Sequence, residues 1–238
     1  MPVATLIVVP TFNEAESISA LVVAVRASLP DAHVLVIDDA SPDGTAGIVR
    51  GLADAHVHLL ERPRKLGLGS AYVAGFSWGL ARGYERFFEM DADFSHDPKD
   101  LPAFVAALDA GADVVVGSRG VPGGGVRGWG PVRHALSKGG SLYSRLVLSV
   151  GLSDLTTGFK AYTRRALEQI DLATLRSNGY AFQIETSYRA LRQGLRVREI
   201  PIVFVDRRVG KSKMTFQEVW GAVVGVWLMR GAGRRSKL

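Results

Sequence analysis

Two aspartates, Asp91 and Asp93, stand either side of Ala92 and follow an apolar run, Phe87-Phe-Glu-Met90. Side chains of an extended chain alternate between faces, so the two carboxylates are expected on one side of the backbone where a strand ends. Two hard oxygen ligands in that position suit Mg²⁺ or Mn²⁺, which binds through one or two carboxylates and completes its octahedron with water and substrate phosphate oxygens. The chemistry this allows is the handling of a phosphate ester or nucleotide. The duller role for such aspartates is capping the next helix. Asp97 followed by Pro98 already supplies an N-cap and a first-turn proline, so Asp91 and Asp93 are left for a ligand.

Side chains of this kind need a frame. Apolar, β-branched segments at 3–9, 34–37, 56–60, 86–90 and 113–116 alternate with helix-period segments near 14–28, 44–53, 68–82 and 98–109. Strand and helix in alternation, with short connections, predict an α/β fold whose mostly parallel central sheet is flanked by helices on both faces. Ligands of such sheets bind outside the carboxyl ends of the strands. Four polar clusters fall at those ends: Pro10-Thr11-Phe12-Asn13-Glu14, Asp38-Asp39, Asp91-Ala92-Asp93 and Gly117-Ser118-Arg119.

Beyond Arg119 the periodicity breaks into a glycine-rich stretch, 120–131, expected to be a mobile loop at the site. Arg127 and Trp129 within it favour a functional role over a solvated turn. Helical spacing returns over 136–150, and 196–205 reads as a strand that Pro201 confines to an edge or a bulge. The last apolar stretch, 216–229, puts Trp220, Val223, Val224 and Trp227 at i, i+3, i+4 and i+7, with Arg230, Arg234, Arg235 and Lys237 after it. Such a helix either packs on the sheet or lies in a membrane interface, and periodicity does not separate the two.

A chain of 238 residues without a linker-like segment is read as a single domain, 1–238. Within it, 1–118 is the half expected to hold a nucleotide, 119–213 the half carrying mobile loops, and 214–238 an amphipathic helix with a basic tail. The net charge is +6, which suits anionic phosphates or an anionic membrane surface. A nucleic-acid-binding module is disfavoured because there is no zinc spacing, recognition-helix motif or aromatic stacking platform. Cysteine is absent, which removes disulfides and thiolate metal sites. No signal peptide is expected from Val3–Val9, and no apolar run reaches the length of a spanning helix. The terminal Ser-Lys-Leu matches a peroxisomal address, but the Arg/Ala/Gly-rich composition reads as bacterial and the match is set aside.

Taken together, the four strand-end clusters resemble family 2 glycosyltransferases of the GT-A fold. A narrower likeness, to the polyprenol (dolichol) monophosphate mannose synthases, comes from Asp93-Phe-Ser-His-Asp-Pro-Lys99, Pro122-Gly-Gly-Gly125 with Gly128-Trp129, Ser153-Asp-Leu-Thr-Thr-Gly-Phe-Lys160 and Asp206-Arg-Arg-Val-Gly-Lys-Ser-Lys213. These segments cover nearly the whole chain in order. The resemblance implies that Pro10, Phe12, Glu14, Ile37 and Asp39 hold the base and ribose of GDP-mannose, Phe12 replacing the commoner tyrosine. It implies that Asp91 and Asp93 bind the divalent cation, with Ala92 near the diphosphate and Ser95 at a third ligand position that is a carboxylate in some relatives. Arg119, Arg133, Arg207 and Lys213 match basic positions for the donor and acceptor phosphates, Lys211 and Ser212 being possible assistants.

The reaction implied is transfer of mannose to a polyprenyl phosphate with inversion, giving a β-mannosyl phosphoryl lipid and GDP. A lipid phosphomonoester has a second pKa near 6, as phosphorylated side chains do, so at neutral pH it attacks as a dianion and needs no protein base. The expected setting is peripheral, on the cytoplasmic face of a bacterial membrane, with room for a membrane-anchoring partner protein. The alternatives are a polyprenyl-phosphate glucosyltransferase using UDP-glucose, or a non-catalytic nucleotide-binding module.

Overall fold

The computed structural model describes residues 4–175, 177–206 and 216–235, with the side chains at 132, 216–220, 222 and 232–235 left aside. In chain order the first elements are β1 (Thr5–Thr11), α1 (Ile18–Ser28), β2 (His33–Asp38), α2 (Thr45–Gly51), β3 (Val57–Glu61), α3 (Leu68–Leu80), β4 (Arg86–Glu89), α4 (Leu101–Asp109) and β5 (Val114–Ser118). The chain continues through β6 (Gly125–Arg127), α5 (Pro131–Leu148), β7 (Lys160–Thr163), α6 (Arg164–Ile170), α7 (Gly179–Arg192), β8 (Val197–Pro201), β9 (Val203–Val205) and α8 (Phe216–Arg235).

β1 and β2 are apolar on successive residues because both faces of the sheet are covered. Ile7, Val9, Val34, Val36 and Phe88 point into a core that includes Ile18, Leu21 and Val25 of α1 and Phe104 of α4. Leu6, Val8, Leu35, Ile37 and Phe87 point the other way, onto Tyr72 and Phe76 of α3 and Phe182 of α7. Two glycines let α3 lie close to the sheet. A Cβ on Gly75 would sit 2.5 Å from Val8 Cγ1, and one on Gly79 would sit 2.6 Å from both Leu6 Cδ2 and Phe87 Cε1.

The sheet runs β3-β2-β1-β4-β7-β5-β8. The pairs β2/β3, β1/β2, β1/β4 and β5/β8 are parallel, but β7 lies antiparallel between β4 and β5. The expected strands and helices are all present, with shifted ends. The segment read as one strand over 196–205 divides at Ile202 into β8 and β9, and Pro201 closes β8 on the edge of the sheet, where its missing N–H costs no ladder bond. β6, β7, α6 and α7 carried no expectation. The glycine-rich stretch is also more regular than expected, since Gly125–Arg127 pairs with Val203–Val205 in a separate ladder. A third core forms from Leu148, Leu152, Leu155, Ile184 and Tyr188 with Val226 and Met229 of α8.

At the amino ends of the strands, His33 Nδ1 faces His58 Nε2 at 2.9 Å, and the Tyr84 hydroxyl sits 2.8 Å from the same His33 nitrogen. Such a hydrogen bond needs at least one neutral ring. Burial lowers the pKa of both histidines; for His33 the neighbouring His58 and His56 add to the effect, and for His58 Arg82 and His56 do. The unfolded chain then binds more protons than the folded one as pH falls past the ordinary histidine value of about 6.5, so stability falls with it. We expect the melting temperature to drop between pH 7.5 and 5.5, with a shallower drop in the His33→Phe/His58→Phe double variant. An unchanged pH slope in that variant would assign the acid sensitivity elsewhere.

Candidate functional site

At the ends of β1 and β2 two loops are laced together by short polar side chains. Asp38 accepts from Thr11 Oγ1 at 3.0 Å, from Ser41 Oγ at 2.6 Å and from the Ser41 N–H at 2.9 Å. Asp43 takes the Ala15 and Thr45 N–H groups, and Thr45 Oγ1 takes the Glu14 N–H. These contacts fix Phe12 at the rim, where its ring lies 4.3 Å from the Lys65 ammonium, an arrangement in which the ring face attracts the cation.

Asp39 is more committed than its sequence position suggested. It is buried and clasped by Arg62, whose Nη2 donates to Oδ2 at 2.7 Å while Nε donates to Oδ1, and the Leu66 N–H also reaches Oδ2. Any ligand hydrogen bond to Asp39 is therefore made by a carboxylate already oriented and neutralised from behind. Ile37 can meet a ligand only through its backbone. Its side chain is fully buried in the core against α3, so this position offers a ligand no side-chain contact. Alternation along β2 is the reason, since Ile37 and Leu35 share the face turned to that helix.

The aspartate pair stands slightly apart from its expected setting. β4 ends at Glu89, and Asp91, Ala92 and Asp93 lie in the turn that follows, not in the strand. The turn itself is what orients them. Phe94 has φ of 58°, and the Ser95 N–H closes back onto Asp93 Oδ1 at 3.0 Å. Asp91 is partly exposed, Asp93 is buried, and the Tyr72 hydroxyl lies 3.5 Å from Asp91 Oδ1. Ser95 Oγ is buried with no hydrogen-bond partner among the described residues, an orphan hydroxyl two residues from Asp93. Two carboxylates and a bare hydroxyl are a hard oxygen set that fits a small divalent cation. No group of three or more His, Cys, Asp or Glu among the described residues is arranged to hold a metal unaided, so a cation here would need oxygens from its substrate. As expected, Asp97 caps the next turn by accepting from the Lys99 N–H at 3.0 Å. His96 is a core residue, stacked on Phe159 at 4.8 Å, and burial takes its pKa down to about 4 against the opposing pull of Asp93.

Arg119 and Arg133 meet at Trp129, 5.5 and 4.4 Å from its ring. Both were expected to serve the donor and acceptor phosphates, and here each has a carboxylate partner. Arg119 Nε and Nη2 donate to Asp154 at 2.6 and 2.8 Å, Nη2 also reaches Thr156, and the Arg119 N–H adds a further bond to Asp154. Burial opposes the charge on Asp154, yet Arg119 holds its carboxyl below the usual range. Arg133 Nη1 donates to Asp206 at 2.7 Å. Arg207, Lys211, Ser212 and Lys213 lie outside the described residues. Around Trp129 open two clefts. One, of about 490 Å³, is lined by Arg119, Lys138, Arg145 and the glycine stretch. The other, of about 100 Å³, runs between α5, α7 and α8 past Leu136, Tyr143, Ile184 and Val223.

Arg62, Asp154, Tyr72 and the Lys160–Gln183 contact carried no expectation as functional positions. Asp154 and Lys160 did fall within the quoted 153–160 segment, but their partners are 35 and 23 residues away along the chain.

Comparison with known proteins then places the chain. The sequence model of glycosyl transferase family 2 matches residues 6–171. The chain is 47% identical over 238 residues to a polyprenol monophosphomannose synthase of Mycolicibacterium smegmatis, covering 98% of this chain and 90% of that one. It is 46% identical over 239 residues to an undecaprenyl-phosphate mannosyltransferase of Micrococcus luteus, covering 98% of each. Among solved structures, glucosyl-3-phosphoglycerate synthase from Mycobacterium tuberculosis, in complex with Mn²⁺, UDP-glucose and phosphoglyceric acid, superposes with a TM-score of 0.72 at 18% identity. That superposition covers 97% of this chain and 80% of the other, and it supports the expected GT-A architecture.

Proposed function

We propose, from the premise that this chain belongs to glycosyl transferase family 2, that it transfers mannose from GDP-mannose to a polyprenyl phosphate with inversion at the anomeric carbon. The observation that carries the reading is near full-length identity of 46–47% to two lipid-phosphate mannosyltransferases. A carboxylate pair in the turn after β4 and a cleft lined by Arg119 and Arg145 add to it. In this reading Pro10, Phe12, Glu14 and Asp39 receive the nucleotide. Asp91 and Asp93, with Ser95, hold Mg²⁺ or Mn²⁺, whose chemistry is to neutralise charge gathering on the departing diphosphate.

The acceptor arrives as a dianion, so the protein's work is to bring two anions into line and not to remove a proton. One phosphate oxygen of the acceptor forms the new bond to the anomeric carbon as the bond to the GDP oxygen breaks. Arg119 and Arg133 are suited to the acceptor phosphate. Arg119 Nη1 makes no hydrogen bond within the described residues and Arg119 lines both clefts, so that end of the guanidinium remains for an anion. Arg207 and Lys213 are assigned to phosphate by resemblance.

The lipid chain is proposed to leave by the apolar cleft between α5 and α8. Leu142 and Leu146 on α5, and Val224, Trp227 and Leu228 on α8, are exposed, and Arg230 follows them in sequence. No helix among the described residues is long and apolar enough to cross a membrane. An apolar face with basic neighbours suits residence in an interface of anionic lipid, here proposed to be the cytoplasmic face.

A donor panel tests the reading. Radiolabel from GDP-mannose should enter organic-extractable lipid as the β-anomer, whereas UDP-glucose should give none. Transfer from UDP-glucose, a retained configuration or a mannosyl-enzyme adduct would overturn it. For the membrane face, Trp227→Ser/Leu228→Ser should lower turnover on a long polyprenyl phosphate in vesicles about 10-fold, the loss of two interfacial anchors, and spare a short soluble analogue. Deleting all of α8 would be a poorer test, because Val226 and Met229 belong to the core. Equal loss on both acceptors would remove the interfacial role.

A further inference from the structure

Helix α5 has a cleft on each side. The smaller, toward α7 and α8, is the path proposed for the lipid chain of the acceptor. The larger, of about 490 Å³, lies between α5 and the glycine stretch, and its volume is that of a small-molecule site. From α5 it takes His134, Ser137, Lys138, Ser141, Leu142 and Arg145. Lys138, Ser141 and Arg145 recur at i, i+3 and i+7, so they share one face of the helix.

That face offers donors. Ser141 is only 9% exposed, and its hydroxyl makes no hydrogen bond among the described residues. Lys138 and Arg145 likewise have neither an ion pair nor a side-chain hydrogen bond among them. The carboxylate that lines the cleft, Asp154, is already bound by Nε and Nη2 of Arg119. Arg145 is half-buried without a counter-ion, and an anion in the cleft would supply one. An ammonium and a guanidinium only donate, and a hydroxyl between them can donate too. Such a set is complementary to the oxygens of a phosphate.

The rim of the cleft decides what the phosphate carries. Leu142 lines it and is 53% exposed, and Leu146, one turn further on, is 68% exposed. A soluble anion gains nothing from such a rim, whereas the first methylenes of an acyl chain leave water there. The acceptor's own phosphate belongs elsewhere, because Arg133, one of its two proposed partners, lines the other cleft and not this one. We propose that the cleft between α5 and the glycine stretch is a headgroup site for an anionic phospholipid of the phosphatidylglycerol type. Lys138, Ser141 and Arg145 take its phosphate, and its chains pass over Leu142 and Leu146. A lipid held there seats α5 in the interface and turns the apolar cleft on its other side toward the membrane that carries the acceptor. The inference rests on the interfacial reading of α5 and α8, and its binding step is independent of which sugar is transferred.

Short-chain phosphatidylglycerol, kept below its micellar concentration, tests the site on the full chain by calorimetry. One molecule should bind per chain, and phosphatidylcholine of the same chain length or inorganic phosphate should bind on the order of 10-fold more weakly, the one for its neutral headgroup and the other for want of a chain. Lys138→Gln/Arg145→Gln should weaken the lipid about 30-fold, the scale of two basic residues against an anionic lipid. Ser141→Leu plugs the cleft without changing charge and should lose the lipid as well. A short soluble polyprenyl phosphate should not displace it. In phosphatidylcholine vesicles, added phosphatidylglycerol should raise transfer to a long polyprenyl phosphate about 10-fold in the wild type and leave the double variant unmoved. Wild-type binding by Ser141→Leu would mean diffuse attraction to a basic surface and would overturn the site. Displacement by polyprenyl phosphate, which gives the cleft to the acceptor, or inorganic phosphate bound as tightly as the lipid, would overturn it too. Should Ser141→Leu melt far below the wild type, Ser141→Ala takes its place, with binding about 5-fold weaker for one lost hydrogen bond. A chain that binds the lipid as described and transfers no mannose leaves the site standing and sinks the functional reading instead.

Discussion

With Asp91 replaced by asparagine, transfer falls on the order of 10³-fold, the scale of losing one preorganised charge contact to a leaving group, while the chain melts where the wild type does. Asparagine keeps an oxygen for the Tyr72 hydroxyl, which lies 3.5 Å from Asp91 Oδ1, and removes only the charge. Asp91→Ala should lose as much activity and a further ~1 kcal/mol of stability, because a buried phenol is then left without its acceptor. Tyr72 is already held firmly neutral by burial and by Asp91 and Glu89 nearby, so it offers no substitute charge. Rates measured across a Mg²⁺ or Mn²⁺ titration separate a weakened cation site from a lost one. An Asp91→Asn chain as fast as the wild type would falsify the assignment of the pair to the diphosphate.

The largest loss of stability is expected at Asp154. Its side chain and that of Arg119 are 4% and 11% exposed, and Asp154 also accepts from the Arg119 and Thr156 N–H groups. Removing one partner of a buried pair strands the other charge in a poor solvent, which costs about 3–5 kcal/mol. Asp154→Ala should therefore melt on the order of 10 °C below the wild type for a domain of this size. Arg119→Lys keeps a charge but not the fork, so it should fall between the two in stability. If Arg119 also steadies the acceptor, Arg119→Lys should raise KM for the lipid phosphate more than for the nucleotide sugar. A melting point for Asp154→Ala within a degree of the wild type would show that the pair opens to solvent and does not hold the cleft together.

The network behind Asp91 explains a motif that sequence could only match to relatives. Glu89 and Lys160 face each other across β4 and β7. Burial raises the pKa of Glu89 and lowers that of Lys160 to about 8, each partly restored by the other. Tyr162 donates to Glu89 Oε1 at 2.8 Å. Buried polar groups of this kind hold their neighbours in one arrangement when satisfied, and the two atoms of this group left without a hydrogen-bond partner among the described residues are Glu89 Oε2 and Gln183 Nε2.

Local chemistry made much of this molecule readable in advance. Runs of β-branched residues marked β1 and β2, the Asp97-Pro98 cap marked the start of a helix, and a pair of carboxylates one residue apart marked the place for a cation. Each of these is written within a few consecutive residues, so a linear string carries it. The stripe at Val224 and Trp227 was legible as amphipathic, but not which side it would show; folding exposed it and buried Val226 and Met229. The tertiary structure alone turned Ile37 into the core, inserted β7 antiparallel between β4 and β5, and gave Asp39 to Arg62, Arg119 to Asp154 and Gln183 to Lys160. Those pairings join segments separated by 23 to 35 residues, and which segments meet depends on strand order, a global minimum of packing that no local periodicity encodes.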